Sequence, residues 1–286
     1  MVTPFDSLGE IDFDVAGELA RFLVANGSDG LIVAGSTGEG PALSDDEKYE
    51  LFTHVANEVT VPVFAGSTFA NTDQSVALTK RLKGTKVSGV LATTPAYSRP
   101  NQAGIKAHLA AVAEATDLPV MLYDIPSRTG RKIAGQTTLA LVRDHANIVA
   151  LKDASGDLET ARHVKQSLGD RLDLYSGDDA LLLPFLAEGA TGIVSVASHW
   201  AGPEFQGVIT AFGKGEMAEA QAIFDRLAAS CAFEGNETYP NPMPSKAMMR
   251  AIGIAVGQCR LPHAPSDETL DAQAASLLAQ VRSSRG

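Results

Sequence analysis

The chain has 286 residues, 45% of them apolar and 20% charged, so it can bury a full core without disulfides or metal. A formal net charge of −11, uninterrupted by any run of Lys or Arg, repels phosphate backbones and argues against nucleic acid as a partner. No apolar run reaches the ~18 to 20 residues of a bilayer crossing, and residues 1–10 carry no signal-peptide pattern, so no membrane partner and a cytoplasmic location are expected.

In chain order, Val2-Thr3-Pro4-Phe5 reads as a first strand, short for the ~5 to 6 residues usual in a sheet. Periodicity then predicts a helix over 12–26, a strand over 31–35, and a helix over 44–59 opened by a Ser44/Glu47 capping box. A strand over 61–66 precedes a helix over 71–83 with Asn71 as N-cap, and a strand over 89–95 precedes a helix over 101–116. Strands follow at 119–126 and 148–155, then a helix over 158–168 capped by Asp157, and strands at 173–179 and 192–198. Helices over 203–212, 217–233, 244–253 and 267–284 finish the chain. Apolar runs without alternation are buried on both faces, and strands that alternate with helices imply a parallel sheet. The expectation is an α/β fold, a (β/α)8 TIM barrel over 1–224 with an appended C-terminal helical region over 225–286.

In such a barrel the chemistry gathers at the C-terminal strand ends, where the βα loops meet. The polar ends here are Gly35-Ser36-Thr37-Gly38-Glu39, Thr93-Thr94-Pro95-Ala96-Tyr97, Tyr123-Asp124-Ile125-Pro126-Ser127-Arg128, Lys152-Asp153 and Ser176-Gly177-Asp178-Asp179. Lys152 stands out, because four apolar residues precede it in a strand expected to be buried. A desolvated ammonium tends to lose its proton and become a nucleophilic amine suited to Schiff-base catalysis. The plain alternative is an ion pair with Asp153, or a lysine in solvent just past the strand. Tyr97, Tyr123 and the Ser36-Thr37 pair could relay protons to an imine, and Arg128 could hold a carboxylate bidentately. Each tyrosine could equally be a packed aromatic, and the 35–40 loop only a strand-to-helix turn.

Other patterns fail. Gly207 and Gly213-Lys214 have the wrong spacing for a phosphate loop, and the 35–40 loop is no dinucleotide fingerprint. Cys231 and Cys259 form no Cys-x-x-Cys pair and read as idle thiols, so no metal is expected. The six histidines are scattered and read as surface residues.

With these residues assembled, the chain resembles the dihydrodipicolinate synthase and N-acetylneuraminate lyase family of pyruvate-dependent aldolases. The resemblance runs from Val2-Thr3-Pro4-Phe5 to Asn241-Pro242-Met243-Pro244-Ser245-Lys246 and Arg260-Leu261-Pro262. Relatives carry several residues before the Val-Thr-Pro motif, so the first strand looks truncated. The resemblance implies that Lys152 is the Schiff-base lysine, Tyr123 the acid/base beside the imine, and Thr37 a proton relay. It implies that Ser36 and Thr37 bind the pyruvate carboxylate, while backbone at Gly177 and Val194 lines the pocket. Tyr97 would reach a neighbouring subunit's site, so a homo-oligomer is expected, a tetramer built as a dimer of dimers. Arg128 matches the arginine that synthases use for aspartate semialdehyde, where sugar-acid lyases have smaller or apolar residues. Asp124 departs from a commoner Asn.

The implied reaction joins pyruvate to L-aspartate 4-semialdehyde, with no cofactor because the protonated imine is the electron sink. The rivals are a lyase of the same family that releases pyruvate from a 2-keto-3-deoxy sugar acid or N-acetylneuraminate, and an idle pyruvate-binding relative. Positions aligned with the pocket of lysine-sensitive relatives read Lys48, Ser75 and Ala96, so insensitivity to lysine is expected.

Overall fold

The structure is a computed structural model that describes residues 1–68 and 70–283. Its elements in order are α1 (Phe13–Ala25), β1 (Leu31–Val33), α2 (Asp45–Glu58), β2 (Val63–Ala65), α3 (Thr72–Arg81), β3 (Gly89–Thr93) and α4 (Gln102–Glu114). Next come β4 (Val120–Asp124), α5 (Pro126–Thr129), α6 (Gly135–Asp144), β5 (Ile148–Asp153), α7 (Leu158–Leu168), β6 (Asp173–Ser176), α8 (Leu182–Ala187) and β7 (Gly192–Ile193). The chain ends in α9 (Ser198–Gly213), α10 (Met217–Arg226), α11 (Ala228–Phe233), α12 (Met243–Ile252) and α13 (Glu268–Ser283). The sheet runs β1 to β7 in chain order. Among the described residues no helix is long and apolar enough to cross a membrane.

The chain forms two compact units, Met1–Val63 with Val196–Gly286, and Phe64–Ser195. In the first, helix starts follow the side chains available to cap them. Asp12 accepts from the Val15 amide, and Ser44 and Glu47 form the expected capping box that opens α2. Near the other end of this unit, α12 starts with Pro244 in its first turn and stops at Gly253 in the left-handed conformation (φ 110°). Its inner face packs Met243 and Ala247 against Leu270 and Ala274 of α13.

In the second unit β2 to β7 pair in parallel. All of β4 and most of β3 is buried, so these strands are near-continuous apolar runs with no alternation. Adjacent registers align Tyr123 with Lys152 and Lys152 with Tyr175; one residue further on they align Asp124 with Asp153 and Asp153 with Ser176. Successive residues of a strand point to opposite faces. Tyr123, Lys152 and Tyr175 therefore share one face of the sheet, and Asp124, Asp153 and Ser176 share the other.

Several expectations need correcting. Residues 2–5 form no strand; Phe5 makes only an isolated antiparallel bridge to Ile11. The reason is where the donors go: the Val2 amide bonds His199 Nε2 (3.1 Å), the Phe5 amide bonds the Val256 carbonyl (3.1 Å), and Pro4 has none. The Met1 ammonium reaches β1, at the Ile32 carbonyl (2.6 Å). Not all histidines lie at the surface, since His108 and His199 are buried. His199 Nδ1–H donates to the Val196 carbonyl (2.7 Å) while Nε2 accepts from Val2, and burial pushes its pKa down to about 3. The helix expected over 217–233 is broken at Leu227 into α10 and α11. The first turn of α9 is separated from the rest by a kink at Ala201, two residues before Pro203. Of the helix expected over 267–284, Ser284 lies outside the described residues.

Candidate active site

The second unit carries the lysine. Lys152 is the fifth residue of β5, and its Nζ lies over the Tyr123 ring, 4.1 Å from the centroid. An ammonium over an aromatic face is attracted by the ring quadrupole, so the two side chains hold each other at the strand ends. Tyr123 is 4% exposed, whereas Lys152 is half-buried and therefore open to an incoming molecule. Gly177, just past β6, is required by close approach: a Cβ there would lie 3.1 Å from both Cγ and Cε of Lys152 and 2.9 Å from Ala154 Cβ. Its amide donates to the Asp153 carbonyl (2.7 Å), and the Val194 amide, just past β7, donates to the Ser176 carbonyl (2.8 Å). These bonds extend the ladder by one residue beyond the strands and fix the backbone beside the lysine.

On the opposite face Asp124 and Asp153 are both buried. Burial pushes Asp124 up to about 7, against the hydrogen bond from the Ile133 amide that favours its ionised form. Burial also raises Asp153, opposed by its bonds from Ser155. At α7, Asp157 is held well below the usual carboxylate range, first by its hydrogen bond from Lys132 and then by the Thr160 amide.

Two exposed loops complete this unit's strand ends. Tyr97, after β3, is 97% exposed and adopts φ 67°, a left-handed conformation that costs a bulky residue energy; Arg99 beside it has φ 48°. Arg128 is exposed on the single turn of α5, which Gly130 terminates at φ 76°. The loops clasp each other, with Arg99 Nε donating to the Gly130 carbonyl (3.1 Å) and Arg131 Nε to the Arg99 carbonyl (3.2 Å).

The first unit carries Ser36 and Thr37, both half-buried, after β1. Their loop is a folded-back turn closed by the Gly40 amide on the Gly35 carbonyl (3.1 Å) and the Glu39 amide on the Ser36 carbonyl (3.2 Å). Asn241 Nδ2 donates to Thr37 Oγ1 (2.9 Å), which occupies an acceptor lone pair and leaves the Thr37 O–H to donate elsewhere. Glu39, left-handed at φ 54° and 3% exposed, is anchored by Lys246 Nζ (2.7 Å) and the Arg260 amide (2.8 Å). Lys246 is fully buried, donates also to the Gln258 carbonyl (2.8 Å), and lies over the Phe5 ring at 4.1 Å.

The structure thus brings together Tyr123, Lys152 and Gly177, ties Val194 to the neighbouring β6, and leaves Tyr97 and Arg128 on exposed loops. No motif assigns a role to Asn241, Lys246 or Arg260, although their segments carry the resemblance. Tyr175 has a signal in the sequence that the motifs do not use: an aromatic two residues before Gly177 on the strand next to Lys152.

The fold class and this strand-end chemistry match aldolase-type lyases built on the (β/α)8 barrel. The chain belongs to the dihydrodipicolinate synthetase family, whose model matches residues 1–281. It is 43% identical to the 4-hydroxy-tetrahydrodipicolinate synthase of Bacillus subtilis over 94% of this chain and 92% of that one. It is 45% identical to a 4-hydroxy-tetrahydrodipicolinate synthase of Halalkalibacterium halodurans, over 93% of this chain and 90% of that one. Among solved structures it is similar to dihydrodipicolinate synthase from Cyanidioschyzon merolae with lysine bound, at TM-score 0.95 and 41% identity, covering 99% of this chain and 96% of that one.

Proposed function

We propose that this chain is a 4-hydroxy-tetrahydrodipicolinate synthase of lysine and diaminopimelate biosynthesis that condenses pyruvate with L-aspartate 4-semialdehyde through an imine on Lys152. The observation that carries the reading is the Lys152 amine, half-buried at a strand end, over Tyr123 and against a glycine that leaves it room. Full-length relatives named for this reaction support it.

Lys152 Nζ attacks the pyruvate ketone, and the carbinolamine loses water to give the imine. Tyr123 shuttles the protons of that step, with Thr37 in the relay and Tyr97 completing it from a neighbouring subunit. Ser36 and Thr37 hold the pyruvate carboxylate, and backbone at Gly177 and Val194 lines the pocket. The imine loses a methyl proton to become an enamine, and the enamine carbon attacks the semialdehyde carbonyl, whose oxygen takes up a proton. Arg128 pairs with the carboxylate of this second substrate. The substrate's amine then attacks the imine carbon, closes the ring and displaces the Lys152 amine. We place the enzyme in the cytoplasm as a homo-oligomer, a dimer of dimers.

The test is an assay of purified protein with pyruvate and L-aspartate 4-semialdehyde, coupled to reduction of the product, beside an assay for pyruvate release from 2-keto-3-deoxy sugar acids and N-acetylneuraminate. Condensation without release is expected. Release from a sugar acid without condensation would move the chain to the lyases.

A further inference from the structure

We propose that Asp124 is a positioning residue for the second substrate: its side chain closes the base of the loop that presents Arg128. The inference rests on the reading that Arg128 binds the semialdehyde carboxylate.

β4 ends at Asp124, and the chain returns to the buried interior at Ile133, which is 2% exposed. Between them lie α5 with Arg128, the left-handed Gly130 and the exposed Arg131. A hydrogen bond joins the two ends of this excursion: the Ile133 amide donates to Asp124 Oδ1 at 3.0 Å, with both groups buried. Strand alternation turns Asp124 away from Tyr123 and Lys152, so the bond is made on the face opposite the imine.

The loop's other ties are of a different kind. Thr129 Oγ1 bonds the Ile125 carbonyl (3.1 Å) and the Arg131 carbonyl (2.9 Å) within the loop, and so shapes α5 without tying it to the strand. The Arg99 and Arg131 bonds are exposed and join two loops to each other. Gln102 of α4 brackets Ile133, its Nε2 donating to the Lys132 carbonyl (2.9 Å) and its Oε1 accepting from the Ala134 amide (3.0 Å), and Lys132 pairs with Asp157 of the α7 cap; these ties hold the return segment to helices, whereas Asp124 holds it to the strand. Asp124 is thus the buried side chain that anchors the loop's return to the strand carrying Tyr123. A buried amide stripped of its acceptor must find another or move to water, and moving Ile133 moves the segment that carries Arg128. An asparagine keeps the acceptor oxygen at the same reach, whereas alanine or serine does not.

The experiment is steady-state kinetics with both substrates varied, plus borohydride trapping of pyruvate, on the wild type, Asp124→Ala, Asp124→Ser, Asp124→Asn and Arg128→Ala. Asp124→Ala is expected to raise KM for the semialdehyde about tenfold, with KM for pyruvate and trapping on Lys152 unchanged. Asp124→Asn should stay near the wild type. Asp124→Ser, a milder truncation should alanine fail to fold, should show the same split. The inference alone is overturned if Arg128→Ala raises the semialdehyde KM while neither Asp124→Ala nor Asp124→Ser does, or if those truncations reduce pyruvate trapping as much as turnover. An unchanged semialdehyde KM in Arg128→Ala overturns the reading of Arg128 and this inference with it.

Discussion

Tyr123 and Lys152 are register partners on adjacent parallel strands, and the lysine ammonium sits 4.1 Å from the tyrosine ring centroid. One residue further along, Asp124 and Asp153 are partners on the other face. A single register therefore sets both the reactive pair and the buried carboxylates behind it.

Those carboxylates predict a pH dependence of stability. Asp124 has its pKa raised from 3.8 to about 7 by burial, so its contribution is fully present below about pH 4 and lost as pH rises through 7. Asp124→Asn removes that titration. At roughly 1.4 kcal/mol per pH unit, the variant should gain on the order of 2 to 3 kcal/mol relative to the wild type between pH 5 and pH 8. Urea midpoints at the two pH values check this, and equal changes in both proteins would contradict it.

The Glu39–Lys246 pair predicts a large loss from one substitution. Both side chains are essentially sealed from water, at 1% and 0% exposure. Lys246→Met leaves a buried carboxylate without its counter-charge and should cost ~3 to 5 kcal/mol of unfolding free energy. Adding Glu39→Gln to the same chain should recover part of it. A single variant within about 1 kcal/mol of the wild type in chemical denaturation would refute the assignment.

Among the described residues, strands such as β3 and β4 were legible because parallel strands buried on both faces are written as near-continuous apolar runs, and Lys152 was legible as a break in β5, whereas β6 (Asp173-Leu174-Tyr175-Ser176) is no such run and was placed by its position between helices. Helix α6 was not. Its N-cap is Ala134 with no capping side chain, and it opens with Gly135 and includes the β-branched pair Thr137-Thr138. Helix α8 has six residues with Pro184 inside, too short for a periodic signal. The Lys246 anchor joins residues more than two hundred positions apart, and no local pattern encodes such a pairing. Asp124 was visible as a departure from the family's Asn, but its bond to Ile133 depends on how the loop returns.

Tyr97 predicts dependence on association. Its side chain is 97% exposed on a loop at positive φ, and the proposed function has it enter the site of another copy of the chain. Mixing Tyr97→Phe with Lys152→Ala subunits, each inactive alone, should restore partial activity, because some mixed sites then hold both intact residues. No recovery after verified subunit exchange would count against a shared site.

Regulation is the next expectation. Lys48 and Ser75 are buried and Ala96 is exposed, at positions where the resemblance puts lysine-binding groups, a tyrosine in place of Ala96 among them. Burial lowers the Lys48 pKa only to about 8, so it keeps most of its charge at neutral pH and opposes a second ammonium. Lysine at about 1 mM should leave the rate unchanged, and half-maximal inhibition below that concentration would overturn the expectation.

The central claim is that Lys152 forms the imine, and the most direct measurement is borohydride reduction in the presence of pyruvate, followed by intact-mass analysis and peptide mapping. The wild type should gain one reduced pyruvate adduct per chain on the peptide containing Lys152. Lys152→Ala, still folded because a half-buried strand-end truncation leaves the core closed, should gain none. An adduct at wild-type stoichiometry in Lys152→Ala, or one mapped to another lysine, would contradict the account.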